Sequence, residues 1–236
     1  MKKTNYKYLN IKGAVLDNYQ LEQYMEKIAT SHDVELTSNI ATYPIPRLKD
    51  NYRFIEKTYD LLNKHIKMGI NLYPAGEWLL DNFYIIEETF KTVCKEMTIT
   101  KYKKLPGITT GMYKGFSRIY VVASEIVAYT DNKINDEILS MAISAYQRRK
   151  TLAMEEIWNL WIFLEIAIIE NIRNICEKIY SSQVQKYKVE SIIERLVEKK
   201  EANTQVFKPI KDEYKENVSY KDCLLYTSPS PRDVEE

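Results

Sequence analysis

The chain has 236 residues, of which 45% are hydrophobic and 28% are charged, a composition typical of a globular protein of one or two domains. A formal net charge of +1 is too balanced for a basic protein that binds nucleic acid. With only 6 glycines and 7 prolines, the composition favours helices over a turn-rich β fold. No apolar run follows Met1, and no window reaches the roughly 18 apolar residues of a membrane span.

The N-terminal part, residues 1–46, is predicted to hold one short helix from Asp17 to Ala29. The sequence Tyr43-Pro-Ile-Pro46 then stops any helix, because each proline restricts its own backbone and that of the residue before it. From Leu48 onward apolar residues recur at three- and four-residue steps, which predicts a second helix. Its members are Tyr52, Ile55, Tyr59, Leu62 and Ile66.

Residues 47–182 are predicted to form an antiparallel helical bundle with one longer Gly/Pro-containing loop, so the expected fold class is all-α. A helix from Ala75 to Met97 precedes that loop, which spans Lys101–Gly115. The next helix resumes near Ile119 and ends at Thr130.

Capping residues define the last predicted helices. Asn135 can cap one helix, which ends near Arg148, and Thr151 is expected to cap a long helix reaching about Tyr180. A separate polar helix, Val184–Lys200, is predicted at the start of a truncated continuation over 183–222.

The long helix from Thr151 carries an apolar stripe that predicts a central position in the bundle. The tryptophans Trp158 and Trp161 are interpreted as core residues rather than a platform for a ligand. Glu165 shares a face with Trp158, so we expect either a nearby arginine partner or a position at the bundle surface. The stripe comprises Ile157, Trp161, Leu164, Ile168, Ile172, Ile175 and Ile179.

Acidic residues beside an apolar stripe invite the hypothesis of a di-metal site. Bundle di-iron sites require Glu-x-x-His pairs, but Ala29 and Leu62 stand three residues before His32 and His65. We therefore predict no metal site and a solvated acidic face. No phosphate-binding loop, zinc-protease motif or nucleophile elbow occurs, so no catalytic residue is predicted. The acidic residues are Glu77, Asp81, Glu87 and Glu88.

A series of short motifs runs through residues 74–175. They are Ala75–Phe83 (AGEWLLDNF), Ile86-Glu87-Glu88, Tyr102 with Leu105-Pro106, Gly111 with Gly115, Arg118-Ile119-Tyr120, Thr130-Asp131, Ala145-Tyr146-Gln147, Glu156-Ile157-Trp158 and Ile169-Glu170-Asn171-Ile172-Arg173. In this order and spacing they resemble the N-terminal helical region of the cyclic β-1,2-glucan synthases. Tyr129 and Glu165 depart from the His and Arg that the family tends to have there.

The resemblance implies a part of a bacterial inner-membrane enzyme that polymerises glucose from UDP-glucose with a divalent metal. The family's glycosyltransferase and phosphorylase-like parts and its membrane spans lie downstream of this region. We therefore expect a non-catalytic piece on the cytoplasmic side, without a cofactor of its own. Its expected partner is the rest of the parent synthase chain, with no nucleic acid and with membrane contact only through downstream segments. The candidate docking surface comprises Trp78, Asp81, Asn82, Arg118, Glu170, Asn171 and Arg173.

The C-terminal residues favour a truncated chain. Cys223 to Asp233 resemble the translation of a sequencing-library adapter, so residues 223–236 are interpreted as an artefact and the native sequence is expected to end near Asp222. The alternative function is a stand-alone cytoplasmic helical interaction module. A severed domain should expose an apolar patch, whereas a stand-alone module should have a polar exterior. A third hypothesis is an independent small enzyme. The sequence does not support it, because no nucleophile, metal-ligand set or phosphate-binding loop can be assembled from its residues.

Overall fold

The computed structural model describes residues 9, 11, 14–35 and 42–202. The expectations for residues 203–236, including the proposed adapter sequence, lie outside the described residues. Within the described ranges the protein is almost entirely helical, which confirms the all-α prediction. The helices are α1 Asn18–Ser31, α2 Ile45–Lys67, α3 Pro74–Glu96, α4 Ile99–Tyr102, α5 Arg118–Tyr129, α6 Asp136–Gln147 and α7 Met154–Ala202.

Local capping explains where the first helices begin. The Asp17 carboxylate accepts from the Gln20 backbone N–H at 2.8 Å, and the Gln20 side chain accepts from the Asp17 N–H at 3.2 Å. This reciprocal pair is a capping box that satisfies free donors of α1. α2 begins at Ile45, three residues before the predicted start, with Pro46 in its first turn. Proline is tolerated there because the first N–H groups of a helix have no intrahelical partner, so Pro46 belongs to the helix.

The later helices confirm one predicted cap and correct another. The Asn135 side chain accepts from the Ile138 N–H at 2.8 Å and caps α6 as expected. α7 begins at Met154 rather than directly after Thr151. It then continues unbroken to Ala202, so the predicted break between Tyr180 and Val184 is wrong. The intervening Ser181 and Ser182 are average helix formers and Gln183 is a good one, and without proline or glycine they do not end a helix.

Two short strands were not predicted. β1 Val34–Glu35 pairs antiparallel with β2 Gly107–Ile108, with Val34 opposite Ile108. The pairing continues past the strands, where the Thr109 N–H donates to the Asp33 carbonyl at 2.9 Å. Strands of two residues show no alternation in sequence, so periodicity could not reveal this contact.

The hydrophobic core lies within the first of two compact units, Met1–Gln183, and the second unit is Val184–Glu236. On α7 the core takes Leu160, Phe163 and Ile166, which are fully or nearly fully buried. Trp158 and Trp161 are instead 67% and 43% exposed, so their interpretation as core residues is wrong. Between Ile157 and Ile169 the helix is apolar on almost every side. A helical period therefore fits more than one face and cannot identify the buried one.

Trp158→Ala is expected to change the free energy of unfolding by no more than about 0.5 kcal/mol, because most of the indole is already in water. Ile162→Val removes a single methylene from a fully buried position and should cost about 0.5–1.5 kcal/mol. Urea denaturation followed by far-UV circular dichroism measures both. A larger loss for Trp158→Ala than for Ile162→Val would contradict the observed orientation of α7.

Candidate functional site

The first turns of α7 present an exposed apolar face. Met154, Ile157, Trp158 and Trp161 are 56%, 37%, 67% and 43% exposed. Their i, i+3, i+4 and i+7 spacing places them on one side of the helix. We call these four residues the α7 apolar face. Large side chains clustered in water mark an interaction surface more often than a free exterior.

A buried ion pair fixes the orientation of the first turn of α7. Arg118, at the start of α5, is only 6% exposed and donates from Nε to the Glu156 carboxylate at 2.9 Å. The Arg118 Nη2 also contacts this carboxylate, which accepts from the Ala153 backbone N–H at 2.8 Å. Because Glu156 is held inward, Ile157 and Trp158 must face outward. The predicted docking surface included Arg118, and the burial of its side chain corrects that assignment.

Glu165 lies one turn beyond the α7 apolar face, on the same side of the helix. Its side chain is partly buried, and among the described residues its Oε2 atom is shielded from solvent without a hydrogen-bond partner. Burial raises the pKa of this carboxyl group above its usual range. Of the two expectations for Glu165, the described contacts favour a position at the bundle surface over an arginine partner.

Three predicted site residues, Glu170, Asn171 and Arg173, line one cleft with a volume of about 590 Å³. Glu170 accepts from Arg47 of α2 at 2.7 and 3.3 Å. Asn171 donates to the Asn132 side chain at 2.9 Å. These contacts tie α7 to α2 and to the turn after α5, so the cleft walls are held by polar bonds between elements.

Arg173 in that cleft is held from two sides. Its guanidinium donates to Glu177 at 2.7 Å and lies 5.1 Å from the centre of the Phe54 ring. A cation over an aromatic face is attracted by the electrons of the ring. Arg173 is therefore held on the cleft wall by its contacts with Glu177 and Phe54.

The remaining predicted residues, Trp78, Asp81 and Asn82, share the N-terminal half of α3. Trp78 and Asp81 are exposed, whereas Asn82 is half-buried and donates from its side chain to the Trp78 carbonyl at 2.8 Å. The seven predicted residues are thus distributed over a partly exposed group on α3, a cleft on α7 and the buried Arg118. Their joint docking role stays a prediction.

A buried polar cluster was missed in the sequence. The fully buried Glu125 accepts from the hydroxyl groups of Tyr24 at 2.9 Å and Tyr113 at 2.5 Å. His32 is also buried, and its Nδ1 is hydrogen-bonded to the Tyr146 hydroxyl at 2.8 Å. Neither Glu125 nor His32 reaches solvent, so the cluster is suited to holding helices together rather than to acid–base chemistry on a substrate.

Burial shifts the pKa values in this cluster. Burial, reinforced by the positive charges of Arg118 and Lys150, lowers the pKa of His32 to about 4. Burial raises the pKa of Glu125, although the two tyrosine hydroxyls partly oppose that rise. Tyr129 packs its ring 4.4 Å from that of Tyr24. No single pattern in the sequence joins these residues, because α1, α5 and α6 bring them together.

Neither a metal site nor a membrane span emerges from the described part of the chain. Among residues 9, 11, 14–35 and 42–202, no group of three or more His, Cys, Asp or Glu side chains is arranged to hold a metal ion. Over the same ranges, each helix is too short or too polar to cross a bilayer.

The chain is similar in sequence to a known bacterial synthase. The chain is 26% identical over 151 residues to the cyclic β-(1,2)-glucan synthase NdvB of Rhizobium meliloti (strain 1021). That alignment covers 64% of this chain, more than the 74–175 stretch, but only 5% of the length of the relative. No protein-family model matches the chain. The similarity supports a relation to cyclic glucan synthases.

Proposed function

We propose that this chain is a non-catalytic helical part of a larger glycosyltransferase that makes cyclic β-1,2-glucan. The observation that carries the proposal is the 26% identity over 151 residues to a cyclic β-(1,2)-glucan synthase. The aligned stretch is only 5% of the length of the relative. The synthase activity of the larger protein is therefore proposed, because the alignment does not cover most of that protein.

The role proposed for this part is structural: it docks against other segments of the same synthase. The α7 apolar face supports this role, because four large apolar side chains in water suit a covered surface better than a self-sufficient exterior. The ion pairs Arg118–Glu156 and Arg47–Glu170 hold α7 in place, so the face is presented on a fixed element.

By resemblance, the whole synthase would use UDP-glucose and a divalent metal in downstream parts, with this bundle on the cytoplasmic side of the bacterial inner membrane. The bundle itself would supply no catalytic residue and no ligand to that metal. The family's Asp-rich and Gln-x-x-Arg-Trp motifs do not occur in this sequence, where Gln147 is followed by Arg148-Arg149-Lys150.

Sequencing the source genomic DNA beyond the codon for Asp222 with adapter-free long reads tests the proposal. We expect the reading frame to continue past the codon for Asp222 into membrane spans and a glycosyltransferase with the Gln-x-x-Arg-Trp motif. A genomic stop codon soon after Asp222, or genomic DNA that encodes Cys223–Asp233, would instead favour the stand-alone interaction module.

A further inference from the structure

We propose that the α7 apolar face is covered by a basic amphipathic helix, which in the proposed function belongs to another segment of the synthase. The inference rests on that function only for the origin of the helix. The surface and the chemistry of its occupant follow from the described residues.

The geometry of the face fits a helical partner. Met154, Ile157, Trp158 and Trp161 occupy two turns of one helix side, which is the i, i+3, i+4, i+7 pattern by which helices recognise one another. Tryptophan is enriched among the side chains that dominate binding energy at protein interfaces. The opposite side of the same turns, with Leu160 and Phe163, is in the core, so α7 cannot rotate to bury its tryptophans.

The charge around the face selects a basic partner. Residues 151–172 contain four glutamates and no lysine or arginine. Glu156 and Glu170 are neutralised within the bundle by Arg118 and Arg47. Glu155 and Glu165 have no such ion pair among the described residues, so they leave negative charge beside the apolar face. A lysine or arginine on the covering helix would complement this charge.

Glu165 is an uncompensated acid on the same side of α7 as the apolar face. Its Oε2 atom is shielded from water and has no partner in the described part of the chain, so the bundle itself does not compensate this carboxyl group. An ammonium or guanidinium group of the covering helix would pair with the part of the Glu165 side chain that stays exposed beside the face. The affinity of the partner should therefore depend on Glu165 as well as on the tryptophans.

The same charges argue against two other occupants. A second copy of this chain, packed face to face, would bring the acids Glu155 and Glu165 toward the same acids of its partner. An anionic lipid surface attracts Lys- and Arg-rich faces, which this one is not. The observations therefore favour a protein helix of opposite charge.

The test uses fluorescence with two synthetic helical peptides of about 18 residues that share leucines at i, i+3, i+4 and i+7. One peptide carries lysines beside the leucines and the other carries glutamates. The chain has 3 tryptophans, so Trp78→Phe leaves Trp158 and Trp161 as the reporters. We expect the lysine peptide to shift their emission to the blue and to bind at least about tenfold more tightly than the glutamate peptide.

Variants assign the site. With a fluorophore on the peptide, Trp158→Ala with Trp161→Ala should weaken binding at least about tenfold, and Glu165→Gln should reduce the preference for the lysine peptide. Tyr84→Ala, an exposed aromatic position on α3, is the matched control and should bind as the parent does. Far-UV circular dichroism checks that each variant keeps its helicity.

Three results would overturn the inference. They are equal binding of both peptides, binding that ignores the tryptophan variants, and a homodimer in sedimentation that Trp158→Ala dissociates. A blue shift on phosphatidylglycerol vesicles but not with the lysine peptide would equally assign the face to lipid. The peptide measurements do not depend on the genomic reading frame. If the lysine peptide does not bind, the proposed membership in a larger synthase is unaffected. If the reading frame stops after Asp222, the binding result for the α7 apolar face is unaffected.

Discussion

Replacing Arg118 by methionine is expected to lower the free energy of unfolding by about 3–5 kcal/mol, the usual cost of breaking a buried ion pair. The substitution leaves the Glu156 carboxylate buried without its guanidinium partner, with only the Ala153 N–H still donating to it. Urea denaturation at neutral pH, followed by circular dichroism at the helix minimum, gives the difference in free energy.

Two further variants identify the cause of that loss. Arg53→Met breaks the exposed Arg53–Asp50 pair, whose 3.0 Å bond is screened by water, and should cost no more than about 1 kcal/mol. The double variant Arg118→Met with Glu156→Leu removes both buried charges and should recover most of the stability. If Arg118→Met proved as mild as Arg53→Met, Arg118 and Glu156 would not form a buried pair in solution.

Stability is expected to fall as the pH is lowered from about 6.5 to about 4, because His32 remains neutral in the folded protein. Its folded pKa is about 4, against about 6.5 for an unfolded chain, so in this window the unfolded state binds the extra proton. Protonation of His32 then favours unfolding, and the contribution of neutral His32 to stability is fully present only above its unfolded pKa of about 6.5. The full contribution is about 3 kcal/mol, from about 1.4 kcal/mol per pKa unit.

His32→Leu isolates that contribution from the other titrating groups. Glu125 acts in the opposite direction, since its raised pKa makes the folded state take up a proton first and adds stability as the pH falls. Subtracting the variant's unfolding free energy from that of the parent at each pH largely cancels Glu125. The difference should slope downward from pH 6.5 to pH 4, and a flat difference would show that His32 is protonated in the folded state.

Local signals in the sequence predict most helix boundaries, but they do not predict which side chains of α7 are exposed. Asn135 and the apolar steps from Tyr52 to Leu62 act within one or two turns, and α6 and α2 follow them. The orientation of α7 depends on Arg118, which lies 38 residues before its partner Glu156. That pairing has no local signature, so the sequence does not show that Trp161, within an apolar stripe, is partly exposed to water.

The polar cluster was hidden for the same reason. His32 and Tyr146 are 114 positions apart, and Tyr24 and Glu125 are 101 positions apart. Each of these side chains alone has an ordinary surface explanation. The packing of α1 against α6 brings His32 beside Tyr146, and Tyr24 of α1 meets Glu125 of α5. With this packing comes the burial that shifts the pKa values of the cluster.

The junction of β1 and β2 has a consequence for the order of folding. The strand pair joins Val34 to Ile108, and the Lys150 ammonium donates to the nearby His32 carbonyl. Together these contacts close two long loops of chain. Loop closure costs entropy that only non-local contacts repay, so this junction should form late, after the helices and their nearest packing. Substitutions at Val34 or Ile108 are then expected to accelerate unfolding while leaving the refolding rate almost unchanged. The last structure to assemble would be the first to open.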